Sequence, residues 1–472
     1  MAPHRVRSIP PVPLDFDVLR SDVGIPGPFP PEVLAAAAEA TGSPTLPTVD
    51  ATDIDLVTID PPGSRDLDQA VGIEDRGDDG WRVHYAIADV GAWVQPGGVI
   101  DVSARARTQT FYAPDVRIPL HPPALGESAA SLLPDGPRPA ALWTIDVSPD
   151  GSTAAVDVRR AMVRSRAQLT YAEVQDDVNH GRLTGPIASL PALGAALLAD
   201  ARRRQAIDLG LPEQEVVQTA DGHWTVRLRA DLPVEEWNAQ VSLLTGRAAA
   251  SLMLDAGIGI LRTLPAADPE AFPRLRDAAR NLGISWPEGI HPGEVLASLD
   301  TSLPRHAAFA DLAAELLRGA GYTPLNGIRP ADPGHAGVGA PYAHVTAPLR
   351  RLVDRFGTET CLAIAAGQAV PLWVSEALPA LSDLMADGDK RSRKLDRAVV
   401  DVTEAFVLQD RVGEVFPAAV VETGRKAGTV VLDEPAVRGR CDTRDLPLGE
   451  EIHVRCTTAD VERREVRFER VS

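Results

Sequence analysis

Cysteine is scarce in this chain, which has three in 472 residues: Cys361, Cys441 and Cys456. They stand far apart and form no CxxC pair, so their spacing indicates neither a zinc site nor a redox motif. A chain of this length can bury a sizeable core without disulfides, and the prior of roughly 150 residues per domain suggests about three domains. Reduced cysteines suit the cytosol, and we therefore expect a cytoplasmic protein.

Long apolar segments and nucleotide-binding loops are also missing. The first fifteen residues carry Arg5 and Arg7 but no apolar stretch of a signal peptide. The longest apolar run, from Cys361 to Trp373, is too short and too interrupted to span a bilayer. The chain has no GxGxxG or Walker-type loop, and its ten histidines show no HxH or HExxH spacing. We expect no membrane partner, no nucleotide cofactor and no histidine metal site.

Positive charge is in deficit, since the formal net charge is −19. This balance argues against a protein whose whole surface grips nucleic acid, because phosphate attraction needs clustered Lys and Arg. It leaves room for a strand drawn into a local basic channel. Aromatic residues make up only 4% of the chain, so the pair Phe111-Tyr112 stands out. Phe111 is better explained by core packing, whereas Tyr112 could stack on a base.

The most informative stretch is TIDPPGSRDLDQA, from Thr58 to Ala70, which we call the acid loop. Apolar runs on both sides predict a strand, a tight turn and a second strand, with Asp60, Asp66 and Asp68 at the mouth. Three crowded carboxylates repel one another unless a cation relieves the cost. Mg²⁺ prefers such oxygen ligands, and a pair of ions can cleave a phosphodiester. The alternative is an acidic surface loop.

A second charged stretch is TAPLRR, from Thr346 to Arg351, which we call the arginine segment. It follows a Gly-rich loop with His344 and leads into a predicted helix. Arginine forks bind phosphate in a bidentate way. The alternative for Arg350 is a salt bridge to Asp354, four residues later on the same helix face.

Helical periodicity predicts a helix from Val234 to Leu254 with two different faces. One face is apolar and packs into the body of the protein. The other is polar or small, which suits the wall of a cleft or, alternatively, a surface in contact with water; its members are Glu235, Asn238, Ser242 and Gly246. We also predict a short helix that ends near Tyr112, and a long helix from about residue 375 to 408, broken near Gly388.

The sequence as a whole predicts an α+β fold. An antiparallel sheet packed with helices is expected around the acid loop, and short β-type runs near the C-terminus predict a five-stranded barrel of the OB type. We divide the chain into an extended N-terminal arm with a short helix from Pro30 to Ala40 (1–50), a catalytic domain (51–402) and the barrel (403–472).

Taken together, several strings resemble the catalytic domain of the ribonuclease II / ribonuclease R family, known as RNB. They stand in family order over roughly residues 56 to 354: TIDPPGSRDLDQAV, HYAIADVGAWVQPGGVID, RTQTFYAPDVRIPLHPPALGESAASLLPDGPRPAALWTIDVSPDG, VEEWNAQVSLLTGRAA and YAHVTAPLRRLVD. The tail resembles a shortened form of the family's C-terminal barrel. The set is far more specific than any one of its members.

This resemblance implies a 3′-to-5′ exoribonuclease that uses one or two Mg²⁺ ions, acts on single-stranded RNA and releases nucleoside 5′-monophosphates. We expect a monomer. By motif position, Tyr112 matches a tyrosine that stacks on the terminal base, Glu235 a glutamate near the ribose, and Arg350 an arginine at the scissile phosphate. The roles implied are catalysis for Asp60, Asp66, Asp68 and Arg350; RNA binding for Tyr112, Glu235, Arg351 and His344; and metal binding for Asp60, Asp66, Asp68 and Gln69.

Three departures from the family pattern qualify this assignment. Gln69 stands where the family usually has a fourth Asp, Ser242 where it commonly has Asn, and Ala347 where it commonly has Ser. Only about fifty residues precede the acid loop, so the paired cold-shock domains of larger relatives are not expected, and RNA binding should be weaker and more sensitive to salt. An RNA-binding protein that has lost catalysis through Gln69 is the alternative function.

Overall fold

The N-terminal region of the computed structural model is more ordered than the expected arm. The structure describes residues 14–471, so the first part of the predicted arm lies outside the described residues. Helix α1 spans Phe16–Asp22 and α2 spans Pro31–Thr41. The α1 helix corrects the prediction of an extended arm, since Asp15 caps its first turn and Phe16 packs onto a later long helix.

A six-stranded sheet lies at the centre of the first third of the chain. The elements of this region are β1 (Leu56–Asp60), β2 (Gln69–Asp75), β3 (Trp81–Ala88), α3 (Val99–Arg107), β4 (Phe111–Tyr112), β5 (Arg117–Ile118), β6 (Arg138–Val147), β7 (Thr153–Val163) and β8 (Ser165–Thr170). The strand order is β7-β6-β3-β2-β1-β8. Only β1 and β8 run parallel, and the other neighbours are antiparallel. The acid loop therefore joins two adjacent central strands.

Alternating side chains bury both faces of this sheet. On β3, Val83, Tyr85 and Ile87 belong to one apolar cluster, and Ala86 and Ala88 belong to another. This is the period-two pattern of a strand covered on both sides. Because β1, the start of β2 and the end of β3 are covered on both faces, the strand ends that carry the acid loop are held by core packing.

The middle of the chain is mainly helical. Its elements are α4 (Tyr171–Asn179), α5 (Leu190–Arg203), β9 (Glu213–Gln218), β10 (Trp224–Arg229), α6 (Pro233–Ala256), β11 (Ile258–Thr263), α7 (Ala271–Asn281), α8 (Pro292–Leu296), α9 (Pro304–Ala313), β12 (Gly321–Asn326), β13 (Gly334–His335), β14 (Ala340–Pro341), α10 (Leu352–Ala365), α11 (Leu372–Ser375) and α12 (Leu378–Leu408). No helix among residues 14–471 combines the length and apolar character that crossing a bilayer requires.

Helix α6 has the two faces that its sequence predicts. Its apolar face, with Val241 and Leu244, packs against the sheet. Its polar face is mostly covered by neighbouring elements, because Asn238 is buried and donates to the Tyr171 hydroxyl, and the partly buried Ser242 contacts the Tyr85 hydroxyl. The alternative of a solvated face is therefore wrong.

Two predicted helix boundaries need correction. Helix α12 runs unbroken through Gly388, and a Cβ at that position would lie 2.3 Å from the Thr108 hydroxyl oxygen. The glycine thus permits a close approach rather than a break. Helix α3 ends at Arg107, and Tyr112 lies in β4 instead, because Thr108 adopts a positive φ of 69° that a helix cannot continue through.

The C-terminal region forms the predicted five-stranded barrel. Its strands are β15 (Val415–Thr423), β16 (Gly428–Val431), β17 (Arg438–Cys441), β18 (Glu451–Asp460) and β19 (Glu465–Arg470), closed in the order β15-β16-β17-β19-β18. Helices and sheets before a closed barrel confirm the α+β class. The boundary between 402 and 403 stays a prediction, since α12 continues across it to Leu408.

A buried glutamate joins α12 to the barrel. Glu404 is 4% exposed, and its Oε1 accepts from the Arg438 backbone N–H at 2.6 Å and from Gln214 Nε2 at 2.8 Å. Burial raises the pKa of Glu404 to about 7. Arg438 also donates two hydrogen bonds to Asp311 of α9, at 2.9 and 3.0 Å, and this pair is a second connection between the barrel and the preceding helices.

Stability should depend on pH through Glu404. The folded protein keeps this proton up to about pH 7, while the unfolded chain releases it near 4.5, so the group's contribution declines as pH rises through that window. Glu404→Gln keeps both hydrogen-bond acceptor positions on its amide oxygen but does not titrate. Between about pH 5 and pH 8, the free energy of unfolding measured with urea should rise by about 2–3 kcal/mol in the variant relative to the wild type. Equal pH slopes in the two proteins would contradict this assignment.

Candidate active site

The acid loop is fastened at several points between β1 and β2. Ser131 Oγ accepts from the Leu67 N–H at 2.9 Å and donates to the Arg65 carbonyl at 2.6 Å. Gln168 of β8 donates to the Ser64 carbonyl at 2.8 Å. The loop that carries the acids is thus tied to neighbouring elements by its own backbone, and it is not the free surface loop of the alternative interpretation.

Asp60, the last residue of β1, has one carboxylate oxygen without a hydrogen-bond partner. Its Oδ2 is buried and has no hydrogen bond within the described chain. Burial raises the pKa of Asp60 to about 6, and the negative charge of nearby Asp66 acts in the same direction while Arg350 opposes it. An unpaired, buried carboxylate oxygen is costly unless a cation or a proton satisfies it.

Asp66 is held by an arginine that sequence reasoning missed. Arg117 of β5 forms an ion pair with Asp66 and bridges to Glu127 at 2.8 Å. Burial raises the pKa of Asp66, and Arg117 opposes the rise. The family-like string from Arg107 onwards contains both Arg117 and Glu127, but spacing alone could not pair them with the acid loop.

Asp68 is the most buried of the three acids, with 4% of its surface exposed. Its Oδ1 accepts from the Leu349 N–H at 2.7 Å, and its Oδ2 accepts from Arg350 Nε at 3.2 Å. Burial raises the pKa of Asp68 to about 7, although Arg350 and the Leu349 N–H both oppose the rise. Asp68 therefore joins the acid loop directly to the arginine segment.

The two adjacent arginines have different environments. Helix α10 begins only at Leu352, so Arg350 lies outside it and does not pair with Asp354 as the alternative proposed. Arg351 forms that pair instead, with two bonds of 2.9 Å to the fully buried Asp354. The predicted RNA-binding role of Arg351 does not fit this engaged guanidinium. Arg350 keeps 43% of its side chain exposed, which suits a phosphate contact.

His344 lies in an aromatic cluster rather than at an open surface. Its Nδ1 is hydrogen-bonded to the Tyr322 hydroxyl at 2.8 Å, and edge-on contacts with the Tyr322 and Tyr342 rings flank it. Burial holds the pKa of His344 well below its usual range, so the imidazole is neutral. The ring is partly buried and carries no charge that would attract RNA, and the RNA-binding role of His344 stays a prediction.

Tyr112 faces the acids from β4. The residue is 53% exposed, so one side of its ring is open to a ligand. The surroundings of its hydroxyl group nevertheless desolvate it, and together with the charge of Asp66 they raise the pKa of Tyr112 to about 12. An open ring beside the acid loop is compatible with the predicted stacking on a base.

Glu235 stands at the start of α6 with its carboxylate already engaged. It accepts from Arg229 Nη1 at 2.8 and 3.0 Å and from the Leu232 N–H at 2.8 Å, which caps the helix. Its charge also contributes to the raised pKa of Tyr171, for which burial comes first and Asp60 second. Tyr171 therefore lies between Glu235 and the acid loop, a position that sequence reasoning missed. The ribose-reading role of Glu235 stays a prediction.

Gln69 opens β2, and both ends of its amide are engaged. Its Nε2 donates to the Thr346 carbonyl at 2.6 Å, and its Oε1 accepts from the Tyr85 hydroxyl at 3.0 Å. Tyr85 in turn contacts Ser242 Oγ of α6 at 2.7 Å. Gln69 thus connects the acid loop to the arginine segment and to α6.

The chemistry of the three acids suits a divalent cation, but their side chains do not stand close enough together in this structure to form a metal site. Within residues 14–471, no three His, Cys, Asp or Glu side chains stand close enough together to hold a metal ion. The partnerless Oδ2 of Asp60 and the pKa values of all three acids, which burial raises despite Arg117 and Arg350, nevertheless describe carboxylates that further positive charge would stabilise. Hard oxygen donors of this kind suit Mg²⁺. Asp60, Asp66 and Asp68 are the residues that would hold it.

Family models match two parts of the chain. The RNB domain matches residues 48–356, and the RNase II-type exonuclease C-terminal S1 domain matches residues 414–471. The sheet, the acid loop and the arginine segment lie in the first match, and the barrel forms the second. The chain therefore belongs to the RNB family.

Comparison with known proteins agrees with this classification. Ribonuclease R of Aquifex aeolicus is 26% identical over 454 residues, which cover 87% of this chain and 63% of that protein. Two structures of Mycoplasma genitalium RNase R, one in the apo form and one with ribose-methylated single-stranded RNA, each match with a TM-score of 0.86 at 18% identity, over 97% of this chain and 77% of theirs. Yeast Ssd1, described as a pseudonuclease, matches with a TM-score of 0.67 at 16% identity, over 91% of this chain and 53% of its own. The chain spans less than two thirds of the length of the curated ribonucleases R that it matches.

Proposed function

We propose that this protein is a metal-dependent 3′-to-5′ exoribonuclease that hydrolyses single-stranded RNA to nucleoside 5′-monophosphates. The observation that carries the proposal is the contact between Asp68 and Arg350, which puts a half-exposed guanidinium beside the buried Asp68 and its partly buried neighbours Asp60 and Asp66. Membership of the RNB family supports the same function. The curated relatives that the chain matches are named ribonucleases.

Arg350 and Tyr112 bind and orient different parts of the substrate. In the described chain, Arg350 uses only its Nε for Asp68, so its two Nη groups are available for the scissile phosphate. Tyr112 offers its open ring face to the 3′-terminal base. Arg350 contacts Asp68, and Tyr112 lies close enough to Asp66 and Asp68 for their charges to raise its pKa, so the two side chains would hold the last phosphodiester near the acids.

A divalent ion, Mg²⁺ in the proposal, would neutralise phosphate oxygens and supply a water of lowered pKa at neutral pH. The chain's own part is to keep the acids ionised and aligned. Burial disfavours their ionised forms, so the proposal expects activity to rise as the acids lose their protons. Arg117 and Arg350 provide fixed positive charge that opposes the effect of burial on Asp66 and Asp68.

The direct test is an assay of purified protein on 5′-labelled single-stranded RNA. With Mg²⁺ we expect progressive shortening from the 3′ end and release of nucleoside 5′-monophosphates, and EDTA should stop both. Single-stranded DNA of the same sequence should be cut more slowly if the ribose is read. Endonucleolytic fragments, or shortening that continues in EDTA, would contradict the proposal.

A second function is an RNA-binding protein without catalysis. The observation that favours it is the amide of Gln69, which stands in place of a fourth acid and is engaged with Thr346 and Tyr85. Binding of labelled RNA without shortening in Mg²⁺ or Mn²⁺ would select this alternative. In both cases we propose single-stranded RNA as the partner and a monomer as the working state.

A further inference from the structure

Asp68 and Gln69, two consecutive residues near the end of the acid loop, hold the arginine segment at both ends. Asp68 accepts from the Leu349 N–H and from Arg350 Nε near the C-terminal end of the segment. Gln69 donates to the Thr346 carbonyl at its start, at 2.6 Å. Two consecutive residues of the acid loop therefore fix the distance of the arginine segment from the sheet.

The amide of Gln69 is itself oriented by a buried chain of hydroxyl groups. Tyr85 is 1% exposed and donates to Gln69 Oε1, so Ser242 Oγ, 2.7 Å away, donates to Tyr85. This sequence of donors leaves one orientation of the amide, with its nitrogen towards the Thr346 carbonyl. A carboxylate at position 69 would place a negative oxygen against that carbonyl and lose the bond.

We propose that Gln69 is a positioning residue, which sets the arginine segment and thereby Arg350 over Asp68, and that it is not a ligand of a divalent ion. The oxygen that a metal would need already accepts from Tyr85, and the nitrogen cannot coordinate a hard cation. The proposal rests on the proposed function only in so far as Arg350 binds an RNA phosphate.

The same arrangement connects two departures from the family pattern. Gln69 and Ser242 lie 173 positions apart in sequence by their residue numbers, yet both contact the single hydroxyl of Tyr85. A hydroxyl at position 242 can donate to Tyr85 while Tyr85 donates to the Gln69 oxygen. The two departures therefore belong to one hydrogen-bonded group, in which contacts through the Tyr85 hydroxyl take the place of the fourth acid.

The test compares Gln69→Leu with the wild-type protein in three measurements. Hydrogen exchange of residues 346–351 should become about tenfold faster, because the fastening at Thr346 is lost. Affinity for single-stranded RNA in EDTA should fall about tenfold, since Arg350 is no longer held in place. Binding of Mn²⁺, followed by electron paramagnetic resonance, should keep its stoichiometry and change its affinity by less than about twofold.

Two further variants separate positioning from general stability. Tyr85→Phe removes the donor to the Gln69 oxygen without touching any carboxylate, and it should accelerate exchange of the arginine segment in the same direction. Gln214→Leu deletes another part-buried amide that donates to a backbone carbonyl, at Ala436 beside the barrel. This control should lower the melting temperature but leave exchange of residues 346–351 and RNA affinity unchanged.

The outcomes for the two proposals are distinct. A loss of bound Mn²⁺ or an affinity at least about tenfold weaker in Gln69→Leu would make Gln69 a ligand and overturn the inference. Unchanged exchange of residues 346–351 would overturn it as well. If the wild-type protein neither binds nor cuts RNA, the proposed function fails, while hydrogen exchange and Mn²⁺ binding still decide the role of Gln69.

Discussion

Asp68→Asn is expected to abolish RNA cleavage while leaving the fold in place. The wild-type carboxylate faces Arg350 Nε and the Leu349 N–H. Asn keeps the shape and can still accept from Leu349, but its amide nitrogen then opposes Arg350, and the charge at the floor of the site is lost. We expect the rate of shortening of labelled RNA to fall by at least about 10²-fold, because preorganised charge at a reacting phosphate is the largest effect a single group supplies.

The melting temperature of this variant should not fall at about pH 8 in EDTA. Burial raises the pKa of Asp68 to about 7, so the folded protein disfavours the ionised carboxylate that Asn replaces. A matched control is Asp146→Asn, which removes a carboxylate paired with Arg82 at 2.7 and 2.9 Å, at the other end of β3 from the acid loop. The control should keep full activity. Full activity in Asp68→Asn itself would refute the assignment of the site.

The acid loop and the elements around it could be predicted from sequence because each has a local signal. Alternating apolar residues mark β1 and β2, and the Pro-Pro-Gly turn requires a loop between them. The 3.6-residue period of α6 separates a face that packs on the sheet from one that lines the site. The order of the family-like strings then assigns these elements to one RNB domain, in agreement with the RNB match to residues 48–356.

The pairing of the two arginines could not be predicted in the same way. The alternative contact of Arg350 with Asp354 assumes that both lie on one helix, and the start of α10 at Leu352 removes that assumption. A helix boundary that differs by two residues is enough to make Arg351, instead of Arg350, the partner of Asp354. The environment of His344 could not be predicted either, because nothing near it in sequence indicates that the Tyr322 hydroxyl is its hydrogen-bond partner.

Hydrogen bonds between residues far apart in sequence could not be predicted either. Gln69 differs from the family pattern at one position, and its sequence context allows a weak ligand or a hydrogen-bonding group. Only the fold brings Thr346 and Tyr85 to the two ends of its amide. The contacts of Arg117 with Asp66 and of Ser131 with the acid loop likewise join residues more than fifty positions apart, where no periodic pattern operates.

Arg351→Met should destabilise the fold strongly, whereas Arg350→Met should not. The Asp354 side chain is fully buried and accepts two bonds from Arg351 and one from the Ala347 N–H at 2.7 Å. Removing Arg351 leaves this carboxylate without a positive partner, and breaking a buried pair from one side costs about 3–5 kcal/mol. Arg350 is 43% exposed, and its partner Asp68 keeps the bond from the Leu349 N–H and can take up a proton, so the loss of Arg350 should destabilise the fold clearly less than the loss of Arg351.

Urea unfolding of the two variants and an RNA-shortening assay would separate these roles. Arg350→Met should keep a midpoint well above that of Arg351→Met and lose activity, because the phosphate-binding guanidinium is gone. Adding Asp354→Leu to Arg351→Met should recover part of the lost stability, since replacing both members of a buried pair by apolar groups is often close to neutral. A midpoint lower in Arg350→Met than in Arg351→Met would mean that Arg350, not Arg351, supports the fold, and the assignment of one arginine to structure and its neighbour to RNA would be wrong.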